Sequence, residues 1–193
     1  MPPKARFSKE EITHTALELI RQRGDEGLTA RALGKALNSS SCPIFTVFET
    51  MEEVRSSAKN AAKDLYAEYV RAGLSEVPAF KGVGMQYIQF AIREPKLFQL
   101  LFMSEQTQSP TMENILPVID ENYSLILRSV EIGYGLRETE AERLYRHLWI
   151  YTHGIAVLCA TKLCRFTLEE MSAMLTDIFL ALLEKIKKEN GGT

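Results

Sequence analysis

Histidine, cysteine, arginine and a single tryptophan are the side chains of this chain with chemistry to offer, and their spacing narrows what that chemistry is. His147 and His153 stand six positions apart, and Cys159 and Cys164 five apart, so neither pair sits at metal-ligand spacing on one helix. No Ser-His-Asp set and no glycine-rich phosphate loop can be named. Glu138, Glu140 and Glu142 fit first-turn charges favoured by a helix dipole rather than paired catalytic carboxylates. Cys42 has no clear cationic neighbour that would activate its thiol. The expectation is a protein that is not an enzyme and holds no metal and no cofactor. Trp149 and His153, by contrast, share one helical face. They suit contact with a ligand, and suit still better a packed ring beside a histidine hydrogen-bonded in the core or across an interface.

The elements that hold these residues are helical throughout, with apolar residues recurring at three- and four-residue steps from Ile12 to Ile186 and no strict alternation. Ser8-Lys9-Glu10-Glu11 is a capping box, flanked by Phe7 and Ile12 as a staple, and Gly24 ends the helix it starts. Leu28-Thr29 starts a second, short helix that breaks at Asn38-Ser39-Ser40-Ser41; a third runs from about Ser41 to Phe48, with Pro43 in its first turn. Leu33, Leu37, Ile44 and Phe48 would hold these two together, and Ala32 and Ala36 would let them approach closely. Two short helices and a tight turn make a helix-turn-helix; the same pattern also fits an ordinary helical hairpin. A long helix follows from Met51 to about Leu74, then helices near 80–93, 95–105, 111–133, 139–164 and 168–188. Pro117 should kink or split the one over 111–133, and Thr139-x-x-Glu142 and Thr167-x-x-Glu170 are two further capping boxes.

Residues 8–54 resemble the DNA-binding domain of the TetR family of transcriptional regulators. The resemblance rests on Ile12, Ala16, Leu19-Ile20, Gly24, Leu28-Thr29, Leu33, Leu37, Ile44-Phe45 and Phe48 in register. It implies an all-α chain: a three-helix DNA-binding domain over residues 5–52, and a linking helix leading into a C-terminal ligand-sensing and dimerisation domain within 53–193. It also implies that Thr29, Ala30 and Arg31 approach DNA from the supporting helix, while Ser41, Cys42, Pro43, Phe45 and Val47 face the groove. Arg31 is the one side chain among them able to pair bidentately with a guanine edge. The family's turn usually reads Gly-Val-Ser, where this chain has Asn38-Ser39-Ser40; Phe45 replaces a frequent Tyr, and Met51 a frequent Lys. Both of the latter changes remove phosphate contacts. Leu148 to Ile155 and Arg165-Phe166-Thr167 resemble a subset of the family with a Trp and a His-Gly pair on the penultimate helix.

The bulk numbers agree with this reading. Of 193 residues 46% are hydrophobic and 25% charged, which suits a globular fold with a real core. The net charge of −2 divides into +2 over residues 1–48 and −4 over the remainder, a small basic excess at the end expected to meet DNA. The start, MPPKARFSKEE, turns polar where a secretory leader would be apolar, no stretch is apolar for the roughly 18 residues of a membrane span, and the three cysteines form no CxxC. A cytoplasmic protein with no membrane association is expected. Its function would be that of a ligand-responsive homodimeric repressor on a palindromic operator; a helical interaction protein without DNA binding, or a small helical enzyme, are the alternatives. Phe90, Phe98, Phe102, Met103 and Tyr123, with Trp149 and His153, would meet a small apolar or amphipathic ligand, although ordinary core packing accounts for any one of them. In the last two helices Leu148, Ile155, Leu175, Ile178 and Leu182 would form the dimer interface.

Overall fold

The computed structural model describes residues 6–105 and 110–190, and among these residues the fold is all-α, without a strand. Its helices are α1 (Lys9–Arg23), α2 (Ala30–Ala36), α3 (Met51–Leu74), α4 (Ala79–Arg93), α5 (Pro95–Phe102), α6 (Ile115–Ile119), α7 (Tyr123–Tyr134), α8 (Glu138–Ala160) and α9 (Leu168–Asn190). Two compact units divide them. One comprises the chain through Tyr66 together with Glu94–Ser104; the other comprises Ala67–Arg93 and the chain from Glu105 onward.

In the first unit the local signals act as the residues dictate. Ser8 Oγ accepts the Glu11 N–H at 3.1 Å and the Glu11 carboxylate accepts the Ser8 N–H at 2.7 Å, closing the capping box. Gly24, at φ +78°, ends α1 with its N–H on the Ile20 carbonyl. Thr29 Oγ1 accepts from Ala32 N to cap α2. Ile12, Ala16, Ile20, Leu28, Leu33, Ile44, Phe48 and Val54 are buried around one core. Close approach in the hairpin comes from Gly34 rather than from the alanines: Ala36 is exposed, whereas a Cβ on Gly34 would stand 2.8 Å from the Ser40 carbonyl carbon. The element expected as a helix over 41–48 is a single 3₁₀ turn, Cys42–Thr46. Pro43 supplies no N–H, and Thr46 Oγ1 donates to the Pro43 carbonyl at 2.7 Å, so the turn does not propagate before Thr50 caps α3. The helix at Pro95–Phe102 packs on α1, and Arg21 Nε donates to Glu94 at 2.7 Å.

In the second unit α4 packs mainly on α8, with α7 and α9 against the same pair. Gly73 and Gly82 let the end of α3 meet α4: a Cβ on Gly82 would fall 2.3 Å from the Gly73 carbonyl oxygen. Two sequence expectations shift here. The segment expected as one helix over 111–133 breaks at Asp120, not at Pro117; Pro117 sits in the first turn of α6, which tolerates it. The Asp120 carboxylate accepts the main-chain N–H of Asn122 at 2.8 Å and its side-chain amide at 3.0 Å, a local turn that competes with the helix. The helix expected to start at Thr139 starts at Glu138: Gly135, left-handed at φ +63°, ends α7, and Glu140 accepts the Arg137 N–H at 3.0 Å. Thr167 and Glu170 do cap α9 reciprocally, at 2.7 and 3.2 Å, with Met171 buried behind them.

Candidate nucleic-acid interface and candidate ligand site

The first unit presents the start of α2 and the Cys42–Thr46 turn on its surface. Thr29 and Arg31 are exposed, Ala30 half-buried; Cys42 and Phe45 are exposed, Ser41, Pro43 and Val47 half-buried. Phe45 keeps 44% of its surface accessible. Arg31 and Ser41 are brought together, lining one open groove with Lys35, Asn38, Ser39 and Ser40. Asn38 adopts the left-handed conformation (φ +51°) that its turn position requires. Among the described residues, neither Arg31 nor Lys35 has a carboxylate within ion-pair distance.

Sequence reasoning missed the residue that sets the height of α2. Arg55 of α3 donates to the main-chain carbonyls of Asp25, at 3.0 Å, and Leu28, at 3.3 Å, and pairs with the Asp25 and Glu52 carboxylates. A guanidinium fork can hold two carbonyls of the connection at once, which fixes where Thr29 begins α2. The α1–α3 contact is sealed by Thr13 and Ser57, whose hydroxyls lie 2.8 Å apart.

The seven residues expected around a ligand are divided between the two units. Phe98, Phe102 and Met103 belong to the first unit, where Phe98 is fully buried, Phe102 meets the Tyr66 ring edge-on at 5.0 Å and Met103 is exposed. Phe90, Tyr123, Trp149 and His153 belong to the second. There the Trp149 and His153 rings stack at 4.9 Å, as their shared face requires, and the Tyr87 hydroxyl lies 2.9 Å from His153 Nδ1. The Trp149 indole N–H is buried and closes no hydrogen bond among the described residues, although it lies near enough to the Tyr87 oxygen to favour the phenolate. Burial lowers the His153 pKa, so the ring is neutral near pH 7. Burial first, and then the charge of Asp120, push the Tyr87 and Tyr145 phenols well above their ordinary range.

Asp120 is itself only 4% exposed. Neither it nor Tyr87 or Tyr145 was singled out from sequence; the polar step Asp120-Glu121-Asn122 between the apolar stretches Ile115–Ile119 and Leu125-Ile126-Leu127 is the signal that could have found it. Tyr123 stacks on Tyr145 at 5.8 Å and donates to Glu142 at 2.5 Å, while Phe90 packs edge-on against Tyr69.

Of the five expected interface residues, Leu148, Ile155 and Leu175 point into the unit's own core and are buried, while Ile178 and Leu182 are half-buried. The apolar surface that α8 and α9 leave open is a different one: Ile150, Leu158, Leu168 and Leu180.

Residues 80–184 match the family model described as the tetracyclin repressor-like C-terminal domain. The chain belongs to the TetR family. It is a TetR-type transcriptional regulator, and the matched span runs from the first turn of α4 well into α9. No curated protein matches the chain. Among its described residues, no helix is long and apolar enough to cross a membrane.

Proposed function

We propose that this TetR-family chain is a ligand-responsive homodimeric repressor that binds a palindromic DNA operator, in the cytoplasm. The observation that carries the reading is the surface of the first unit: an exposed aromatic ring on the Cys42–Thr46 turn beside a cationic α2 whose arginine has no carboxylate partner. In the complex Thr29, Ala30 and Arg31 approach the duplex from α2, and Ser41, Cys42, Pro43, Phe45 and Val47 enter the major groove. The groove-facing set is poor in side chains with sharp base preference, so DNA shape and contacts to thymine methyls carry much of the specificity.

One five-residue turn reads too few base pairs alone, and a second copy supplies the other half-site, about 34–36 Å along the duplex for sites one helical turn apart. The copies meet through the outward stripe of α8, formed by Ile150, Gly154 and Leu158, and that of α9, formed by Ala173, Thr176, Leu180 and Leu183. These residues recur at three- and four-residue steps and lie opposite the faces that the core consumes. A Cβ on Gly154 would meet nothing within 4 Å in its own chain, which leaves room for a neighbouring helix.

A small apolar or amphipathic ligand that also offers a hydrogen-bond acceptor satisfies the Trp149 N–H beside His153 and Tyr87. Its preference for one spacing of the two heads shifts the population away from the DNA-bound form; a 10⁴-fold preference, about 5.5 kcal/mol, suffices to reverse a 99:1 equilibrium. Selection of bound sequences from a random DNA pool tests the core of the reading. Enrichment of a two-fold symmetric site supports it, and a pool that stays random overturns it.

A further inference from the structure

We propose that the groove between α2 and the serine turn is a seat for a DNA backbone phosphate, and that Arg31 serves there as a phosphate clamp rather than as a reader of bases. The inference rests on the DNA-binding function proposed above, but it assigns a site of its own. The groove holds about 470 Å³ and is lined by Arg31, Lys35, Asn38, Ser39, Ser40 and Ser41, with no carboxylate in its wall. A third cation reaches it from outside the hairpin: Arg6 Nη1 donates to Ser39 Oγ at 3.3 Å.

Arg31 and Lys35 are four residues apart on α2 and so share a face. Like charges at that spacing destabilise a helix by a few tenths of a kcal/mol. Two arginines elsewhere in the unit have carboxylate partners, Arg21 with Glu18 and Glu94 and Arg55 with Asp25 and Glu52. Here the opposing wall offers hydroxyls instead. Among the described residues, the Ser40 and Ser41 main-chain N–H groups and hydroxyls donate to no acceptor. Two cations and a row of solvent-facing N–H and O–H donors, with no anion of the chain's own in the groove wall, form the complement of a phosphate oxygen cluster.

Geometry holds the two walls together. Gly34, on the same helix, allows the backbone of Ser40 and Ser41 to press against α2 at a distance that any Cβ would obstruct, which keeps the donors level with Arg31 and Lys35. The groove is open, so solvent and salt screen it, and a lone phosphate ion would gain little there. A polyanion anchored by neighbouring contacts pays no separate cost to arrive, and this is why the occupant is a phosphodiester of bound DNA rather than a free ion.

The test uses the full chain and the sequence enriched from a random pool, with affinity measured across about 50 to 200 mM KCl. Each phosphate neutralised contributes about 0.9 to the slope of log affinity against log salt. Lys35→Gln and Arg31→Gln should each weaken binding and flatten that slope by up to about 0.9, while the sequence re-enriched by each variant stays that of the parent. Lys35→Arg should restore the slope, which separates lost charge from lost structure. An unchanged slope in both Gln variants overturns the proposal and leaves DNA binding standing, as does a loss of base preference at one position in the Arg31 variant. A parent protein that enriches no sequence overturns both readings together. Thermal stabilisation by inorganic phosphate at matched ionic strength, abolished in the Gln variants, would identify the occupant as the free ion and overturn the assignment to DNA.

Discussion

Gly34 of α2 stands so close to Ser40 that a methyl group added to it would lie 2.8 Å from the Ser40 carbonyl carbon and 2.9 Å from its oxygen. Both are backbone atoms, so nothing flexible can swing aside. Gly34→Ala gains about 1 kcal/mol of helix propensity, yet the forced shift of the turn costs about 1–3 kcal/mol in a packed region. The expected outcome is a folded protein, slightly destabilised in its first unit, whose serine turn is displaced and whose operator affinity falls at least tenfold. Urea denaturation and equilibrium DNA binding check it; a variant that binds as tightly as the parent would show that the contact is not needed.

Arg55→Lys tests the link between α3 and the start of α2. The ammonium cannot reach the Asp25 and Leu28 carbonyls in the fork that the guanidinium makes. Its side chain is 28% accessible, so the loss in stability is modest, about 1 kcal/mol. The stronger effect is local: amide exchange at Gly27, Leu28 and Thr29 should quicken more than in α1. Equal protection in both proteins would remove Arg55 from the positioning role.

Capping was legible from sequence because it is local. Ser8 with Glu11 and Thr167 with Glu170 each close within one turn, and no distant residue can change that. Competing local chemistry was harder to rank: Asp120 ends a helix that Pro117 was expected to end, and Arg137 with Glu140 starts α8 ahead of the Thr139 box. Periodicity has a deeper limit, since an apolar stripe does not say what it packs on. The stripe of Leu97, Phe98 and Leu101 belongs with α1, and Leu148, Ile155 and Leu175 are taken by the chain's own core, although nothing in their spacing separates them from Ile150, Leu158 and Leu180. The groove at Arg31 was out of reach for the same reason, because Gly34 brings Ser40 to it across a turn.

His153 gives the second unit an acid-side weakness. Its folded-state pKa lies below the ordinary value of about 6.5 because burial penalises the imidazolium. The unfolded chain therefore binds the proton more readily, so the stabilising contribution of the neutral ring is complete above about pH 6.5 and is lost as pH falls through the folded value. Unfolding by urea at about pH 7.5, 6.5 and 5.5 should show a midpoint that falls with acid. In His153→Gln the fall should be shallower, and in Tyr87→Phe the His153 Nδ1 loses its 2.9 Å partner. A midpoint that falls equally in parent and His153→Gln would assign the weakness to another group.

The dimer proposal makes the sharpest demand on sequence position, because two faces of the same helices give opposite outcomes. Leu180 is 56% exposed and Leu158 37% exposed, whereas Leu175, five residues before Leu180, is 4% exposed. Leu175→Ala removes core volume and should cost about 2–5 kcal/mol in any oligomeric state. Leu180→Glu should leave the fold intact and remove the dimer, since a charge set against its own symmetry mate across a two-fold axis meets a like charge. Gly154 separates the faces further. In an isolated chain its replacement by Ala stabilises α8 by about 1 kcal/mol, because open space surrounds the new methyl group. Replacement by Trp should be tolerated by the monomer yet wedge a neighbouring helix away. Light scattering on the intact protein decides: the parent should run at twice 21.8 kDa, and Leu180→Glu and Gly154→Trp at 21.8 kDa with helical content retained. Both variants should then bind a half-site weakly and the full operator no better. A parent that is monomeric at micromolar concentration, or a Leu180→Glu protein that stays dimeric, would overturn this interface.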